Sequence, residues 1–560
     1  MSGVYGDTLQ SGHIRLLDVR ARWAGSKPEF EGSFRLVSLS DRPLPEFTAV
    51  SYCWDDWSKF KESELERFQL PGYQSLPLSP TLWHLFNSLQ QNSPNFTVWV
   101  DFVCINQKNK DERESQVQQM NKVYSFAKNV LLWLGKSDNI SEKAFHSMKN
   151  NRRDQSGLNS VFLLLRRPWF QRVWVIQEIT VSKKVQMCCG DDREDFDYFS
   201  DYIFDIWKYF YGWDGFEDND DAVRGLWCVT RLFFIREDFK VNKLYFESLL
   251  QEAFRRQATD KRDMVYAFLG LADNRHLPPP NYTISEEELY VETAKALLCN
   301  GKSLDLLALC GISRERSPSL PTWAPDLRYH SFSEPLVPCD RANWKAGGPL
   351  QVPPRIEAPL RLRLQVRPID AVAIVCPPFN SESVADQQAA FEAIRALRLR
   401  VPGDISEEKW MDGLFSTLIW GLDIDDQPLE SGKQWATYRK YFKDWLKWLQ
   451  LSSCEEDLHK IKRNEYHRAM GVRIDTWVAF MTHRGDFCIG PAAIAVGDIV
   501  CTVPGCRLPL VLRAESDVSD EGTRRPLAPT RVLVGCCYVE RLMFGKAAEL
   551  ERPLDEILLQ

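Results

Sequence analysis

Glu178 is the single carboxylate in the stretch RRPWFQRVWVIQEI (residues 166–179), which is otherwise uncharged after Arg172. A helix built from these residues would be apolar nearly all round and therefore largely buried. Two kinds of chemistry place a carboxylate there. One is a structural salt bridge to Arg172 or Arg166. The other is a catalytic group whose field is strengthened by a low local dielectric. Two further segments carry clustered polar side chains. AVSYCWDD (49–56) supplies Ser51, Tyr52, Trp54, Asp55 and Asp56, and VDFVCINQ (100–107) supplies Asp101, Cys104, Asn106 and Gln107. Lining one crevice, these groups would bind a polar ligand such as a nucleotide. Asp and Asn also cap helices and close turns routinely, and spacing alone leaves both readings open.

The elements that must position these groups have a clear rhythm. FTAVSYCW (47–54) is a short apolar run rich in β-formers. In LSPTLWHLFNSLQQ, Ser79 is an N-cap, Pro80 takes the first helical position, and Leu82, Leu85, Phe86 and Leu89 form one stripe. FTVWVDFVCIN (96–106) predicts a second strand, and Asp111 with Glu114 a capping box. Val117, Met120, Tyr124 and Ala127 mark the next helix, VLLWLG (130–135) a third strand and VQMCCG (185–190) another. Apolar strands alternating with amphipathic helices predict a buried parallel sheet with right-handed crossovers. In such sheets ligands bind outside the carboxyl ends of the strands, where the Ser51–Asp56 and Asp101–Gln107 groups fall.

Composition excludes several classes. The 560 residues are 44% hydrophobic and 26% charged, ordinary globular values. A net charge of −7 gives no reason to expect nucleic acid or a membrane surface as partner. No apolar run is long enough for a transmembrane helix and the amino terminus lacks a signal-peptide core. The fifteen cysteines read as reduced, buried thiols. Gly301-Lys302-Ser303 lacks the glycine of a phosphate loop, since Ala296 stands there. Cys188-Cys189, Cys501 with Cys506, and Cys536-Cys537 lack zinc-site spacing, so no metal is expected.

The motifs AVSYCW, VDFVCINQKNKDERESQVQQMNKVYSFAKNVLLWLG and RRPWFQRVWVIQE resemble, in order, the signatures of the fungal heterokaryon-incompatibility (HET) domain, over residues 47–180. TDKRDMVYAFLGLA, LPTWAPDL and VLVGCCYVERLMFG are similar to later segments of long members. Asp55 replaces the family's glycine after the tryptophan, and Asn109 its usual acidic residue after the C-I-N-Q motif. The resemblance implies a fungal source and a role in self/non-self recognition or programmed cell death.

A second likeness speaks to chemistry. FTAVSYCWDD and WFQRVWVIQE are similar to two stretches of TIR domains, and Trp174 precedes Glu178 by four residues as in that family. This implies a flavodoxin-like fold and makes Glu178 the catalytic residue of NAD cleavage at the nicotinamide–ribose bond, with Trp174 walling the pocket. A desolvated carboxylate suits that reaction because the ribose passes through an oxocarbenium-like state. NAD would be a substrate, with no cofactor required. The alternative is a non-catalytic protein–protein signalling module.

The remainder divides by composition. The expected organisation is a HET-type α/β domain over 1–190, a helical region over 191–330, a region of linker, strand and helices over 331–470, and a small β-barrel-like domain over 471–560. LRLRLQVR (360–367) alternates as a strand, and ESGKQWATYRKYFKDWLKWLQ reads as a packed helix. The expectations are a cytoplasmic location, self-association and an unknown protein activator. In CINQKNKDER, Asn106 and Gln107 should fix the loop through backbone bonds, and Arg113 should pair with a carboxylate at the surface.

Overall fold

The computed structural model describes residues 5, 8–24, 27–55, 59–61, 65–70, 75–210, 221–272, 275–312, 316–329, 343–400, 406–424, 426–429, 432–452, 454, 457–515, 528–545 and 553–560. Asp56 lies outside them. The chain forms two compact units. One is Met1–Phe210 with Gly215–Asn274 and Pro279–Ile284, and the other is Ser285–Gln560 with Tyr211–Asp214 and Arg275–Pro278.

In the first unit the elements run β1 (His13–Ala24), β2 (Lys27–Ser38), β3 (Thr48–Tyr52), β4 (Glu66–Gln69), β5 (Leu76–Leu78), α1 (Pro80–Gln90), β6 (Asn95–Trp99), α2 (Asp101–Cys104), α3 (Lys110–Phe126), β7 (Asn129–Trp133), α4 (Asn139–Lys149) and α5 (Gln155–Leu165). A 3-10 turn (Pro168–Gln171), α6 (Val175–Thr180), β8 (Val185–Cys189), β9 (Asp192–Asp195), α7 (Phe196–Phe210), α8 (Asp221–Lys240), α9 (Phe246–Ala253) and α10 (Asp263–Tyr266) complete it. The strands form one sheet in the order β5-β4-β2-β1-β6-β3-β7-β8-β9.

The expected parallel strands are its centre. β6, β3, β7 and β8 pair parallel with one another, and in order of appearance their spatial order is 2-1-3-4. That is the order of doubly wound sheets, in which the connections diverge to either side of the first strand and leave a crevice at its carboxyl end. β3, β7 and β8 are almost wholly buried, which explains their near-continuous apolar runs.

The sheet is mixed rather than parallel throughout. β1 and β2 form a twelve-pair antiparallel ladder, and β1 pairs antiparallel with β6. The predicted strand 96–106 ends early, at Trp99. Although β3 runs on to Tyr52, Val100 O accepts the N–H groups of Val103 and Cys104, turning the chain into α2. The cap of α3 is Asn109, whose side chain accepts from the Glu112 N–H, and not the Asp111–Glu114 box. Glu114 is engaged elsewhere, accepting the Tyr282 N–H at 2.7 Å.

The second unit contains α11 (Glu286–Asn300), β10 (Arg355–Glu357), β11 (Arg361–Pro378), α12 (Val384–Leu397), α13 (Glu407–Leu418), α14 (Lys433–Leu451), α15 (Leu458–Ile461), α16 (Glu465–Ile474), β12 (Trp477–Thr482), β13 (Phe487–Pro491), β14 (Ile499–Thr502), β15 (Leu510–Ala514), β16 (Thr530–Cys536) and β17 (Asp555–Leu559). β11, β14, β15, β16 and β17 pair in turn, and β17 returns to β11, closing a five-stranded barrel. The alternating LRLRLQVR segment opens β11, with Leu362, Leu364 and Val366 buried. Ile369, Val372, Val500, Val511 and Val534 are among its core residues. α14 packs Tyr438, Phe442, Trp445 and Leu449 inward, as its pattern predicts. Cys188, Cys189, Cys501, Cys506, Cys536 and Cys537 are buried and joined in no disulfide among the described residues. Among the described residues no helix is long and apolar enough to cross a membrane.

One buried ion pair ties the β1–β2 hairpin to α3. Arg15 meets Glu112 through two bonds of 2.5 and 3.0 Å, with side chains 5% and 0% exposed. Burial alone would raise the Glu112 carboxyl, but Arg15 and the Asn106 and Leu9 N–H groups hold it below the usual range. Arg15→Met removes the cation and leaves that carboxylate buried. Urea denaturation should show a loss of about 3–5 kcal/mol, and an unchanged midpoint would show that the pair does not anchor the hairpin.

Candidate functional site

At the carboxyl end of β3 the chain supplies Ser51 and Tyr52, and α6 brings Glu178 to the same end of the sheet. Glu178 and Ser51 are each 1% exposed. The Ser51 hydroxyl donates to Glu178 Oε2 and accepts from the Trp169 indole N–H at 2.8 Å. Arg172 Nη1 lies 3.8 Å from Glu178 Oε1 and donates to the Tyr52 carbonyl. The stretch 166–179 is not one helix. The 3-10 turn presents Trp169, an extended residue at Arg172 follows, and α6 then starts afresh. This break lets one short segment address Ser51 from two directions.

The electrostatics follow from burial. Desolvation pushes the Glu178 carboxyl up to about 6, against the pull of Arg172 and of the Ser51 hydroxyl. Asp101 is raised by burial as well, opposed by Arg172 and by the Trp54 indole. Burial likewise raises the Cys53 thiol.

The predicted site residues separate into groups. Ser51 and Glu178 bond directly, with the Tyr52 backbone joined through Arg172. Trp54, 45% exposed, donates its indole N–H to both Asp101 oxygens at 3.0 Å. Asp55 accepts from Thr81 N at 3.1 Å and Thr81 Oγ1 at 2.8 Å, so it caps α1. Asn106 and Gln107 hold their loop as expected, Asn106 Oδ1 accepting from Lys108 N and Gln107 Nε2 donating to Asp101 O. Trp174 donates to Asp263 Oδ2 at 3.0 Å. Trp169 and Cys53 were not singled out in the sequence, although Trp169 stands in the same RRPWFQR segment as Arg172.

A cavity of about 420 Å³ adjoins this network at the carboxyl ends of β3 and β7, where the strand order diverges. Cys53, Trp133, Gly135, Asp138, Arg167 and Trp169 are in its wall. Glu178 is not; it stands behind Trp169 and Ser51. A larger groove of about 790 Å³ lies at the amino ends of β3 and β6. It shares no residue with the Glu178 network, and its Arg22–Glu31 and Lys128–Glu46 pairs, both 2.6 Å, neutralise each other. Its position away from the strand carboxyl ends makes it the weaker candidate. Among the described residues no group of three or more His, Cys, Asp or Glu could hold a metal.

Arg113 is not a simple surface partner. Its guanidinium lies 3.7 Å from the centre of the Tyr282 ring, and the Tyr282 hydroxyl donates to Asp263 Oδ1 at 2.7 Å. Burial pushes the Asp263 carboxyl up to about 6, against the Tyr282 and Trp174 bonds.

The sequence that builds this site has known relatives. Residues 47–178 match the family model described as Heterokaryon incompatibility protein (HET), so this stretch is a HET-type domain that begins just before β3 and ends on Glu178. Along nearly its full length the chain is similar to Heterokaryon incompatibility protein 6, OR allele, of Neurospora crassa (strain ATCC 24698 / 74-OR23-1A / CBS 708.71 / DSM 1257 / FGSC 987), with 24% identity covering 98% of this chain and 96% of that protein. No solved structure matches the chain.

Two measurements test these assignments. A carboxyl whose folded pKa lies above its unfolded value gains a proton on folding, so its stabilising effect is full below about pH 4.5 and is lost as pH rises to about 6. Glu178→Gln should abolish about 2 kcal/mol of that fall, flattening the stability profile between pH 4.5 and 6 relative to the parent. An identical profile would show that Glu178 does not carry the raised pKa. Arg113→Ala should cost about 1–2 kcal/mol through the lost ring contact, read as a lowered melting temperature. No change would mean the arginine is a free surface group after all.

Proposed function

We propose that the chain acts in fungal heterokaryon incompatibility as a cell-death effector, and that its HET-type domain hydrolyses the nicotinamide–ribose bond of NAD or a related nucleotide. The observation that carries this reading is a buried carboxylate at the carboxyl end of β3, bonded to Ser51 and one residue layer behind a cavity. The order of the central parallel strands and the Trp174–Glu178 spacing support a TIR-like relationship.

The chemistry suits Glu178. A carboxyl with a pKa of about 6 is mostly ionised at pH 7. In the reaction the ribose C1′–N bond breaks with its electron pair passing to nicotinamide. The positive charge that develops on the ribose is what the carboxylate stabilises. Water then adds to C1′ and releases its proton. Ser51, fixed between Glu178 and Trp169, orients the carboxylate. Access requires the Trp169 indole to leave Ser51, so in this reading the closed wall is a resting form that self-association or a protein activator opens.

A second reading rests on the same wall. Glu178 does not line the cavity and is held by Ser51 and Arg172, as a scaffold carboxylate in a non-catalytic signalling module would be. Nicotinamide release by purified protein, measured up to high concentration, separates the two. The hydrolase reading expects release that rises more steeply than protein concentration. Glu178→Gln should lose it by at least about a hundredfold, with its melting temperature at pH 7 unchanged or raised and growth arrest on expression lost. A folded Glu178→Gln chain that still arrests growth would leave the signalling module standing.

A further inference from the structure

We infer that Arg256 and Gln257, well beyond the family-matched stretch, are positioning residues of the Glu178 site: they fix the turn that presents Trp169 and Arg172 to it. The catalytic consequence of this placement rests on the hydrolase reading; the placement itself does not.

The segment between the 3-10 turn and α6 is held from behind at every residue that matters to Glu178. Gln257 forms a parallel bridge with Arg172. Its N–H donates to the Gln171 carbonyl at 2.7 Å, and its carbonyl accepts the Val173 N–H at 3.0 Å. Main-chain bonds therefore grip both neighbours of Arg172. The Gln257 side chain adds a third tie, Nε2 donating to Gln171 Oε1 at 2.7 Å, and Gln171 in turn donates to Asp221 at the start of α8.

Arg256 does the same for Trp169. Its side chain is 0% exposed, and a guanidinium taken wholly out of water is costly to place. It donates to the Phe170 carbonyl at 3.1 Å and to the Cys228 carbonyl at 2.7 Å. One buried cation thus rivets the residue after Trp169 to α8, which packs against both the 3-10 turn and α6. On the inner side of the same turn, Trp169 bonds Ser51 and Arg172 faces Glu178. None of the outer bonds involves the Trp169 indole, so that ring can leave Ser51 while the main chain at 170–173 stays in place. The family match ends on Glu178, but the groups that set the geometry around Glu178 come from the end of α9 and from α8.

Amide hydrogen exchange and pH profiles of the full chain test the assignment. Arg256→Met removes both carbonyl bonds. Exchange across Phe170–Val173 should quicken at least about tenfold, with the β11–β17 barrel unchanged, and Arg256→Lys should restore part of the protection. Arg172 is the cation that opposes burial at Glu178, with Asp101 acting the other way. A displaced Arg172 lets the carboxyl rise further, so the fall in stability that Glu178→Gln removes should extend above pH 6 in Arg256→Met. Exchange that is unchanged at 170–173, exchange that rises alike through the whole first unit, or a Glu178 step that stays where the parent has it would overturn the inference. Gln257→Ala, at an exposed position, removes only the Gln171 side-chain bond. It should quicken the same exchange roughly threefold, and it carries the test if Arg256→Met does not fold, unchanged exchange again counting against the inference. Under the hydrolase reading, kcat of Arg256→Met should drop about ten- to a hundredfold with KM within about twofold, and its acid limb should move to higher pH. A merely structural residue would lower the yield of folded protein and leave that limb in place. The two readings fail separately. A parent that leaves NAD intact while exchange and the Glu178 step move as expected loses the hydrolase reading and keeps the positioning role. A parent that cleaves NAD, with kcat and acid limb identical in folded Arg256→Met, loses the positioning role alone.

Discussion

A carboxylate with 1% of its surface exposed cannot be left to water; the protein must meet its charge itself. Glu178 is met by a hydroxyl from the end of β3 and by the Arg172 guanidinium, which also grips the Tyr52 carbonyl. Trp169 completes the arrangement through Ser51. One buried charge thus draws together a strand end, a 3-10 turn, an extended arginine and a short helix. The same desolvation raises the Glu178 and Asp101 carboxyls. Burial, ion pairing and altered acidity are here one effect seen from several residues.

The support for this centre comes from α3. In ERESQV, Glu112 pairs with Arg15, Arg113 lies on Tyr282, and the Gln116 side chain donates to the His13 carbonyl at 2.8 Å. Three neighbouring residues therefore clamp the amino-terminal hairpin on one side and the 279–284 segment on another. That segment holds Tyr282, which bonds Asp263, which accepts from Trp174 at the head of α6. The helix bearing Glu178 is positioned from behind by this chain of contacts. Gln177, donating to Leu269 O at 2.5 Å, adds a second tie to the same region.

The two departures from the HET pattern are both helix caps. Asp55 occupies the start of α1, and Asn109 accepts from Glu112 N while donating to Thr8 Oγ1 at 2.8 Å. Each satisfies backbone donors that would otherwise be unmet.

Much of this was legible in the residues themselves. β3, β7, β8 and α1, with Ser79 as cap, announce themselves because apolar periodicity and capping chemistry are local properties. Glu178 stood out because a lone charge in an apolar run demands an explanation. The HET motifs located the domain because their order and spacing are properties of the chain. Other features were decided only in three dimensions. β1 and β2 belong to the sheet because they find each other and β6, and the strand after Trp99 stops because Val100 O takes the N–H groups of Val103 and Cys104 and turns the chain into α2. Asp55 caps α1 rather than lining the crevice because Thr81, 26 residues on, folds back within reach. Trp169 shares Ser51 with Glu178 across 118 residues of sequence, and Arg113 finds Tyr282 across 169. Side-chain type states what bonds a residue can make. Which bond it makes depends on what the fold brings within about 3 Å, and no local pattern carries that distance.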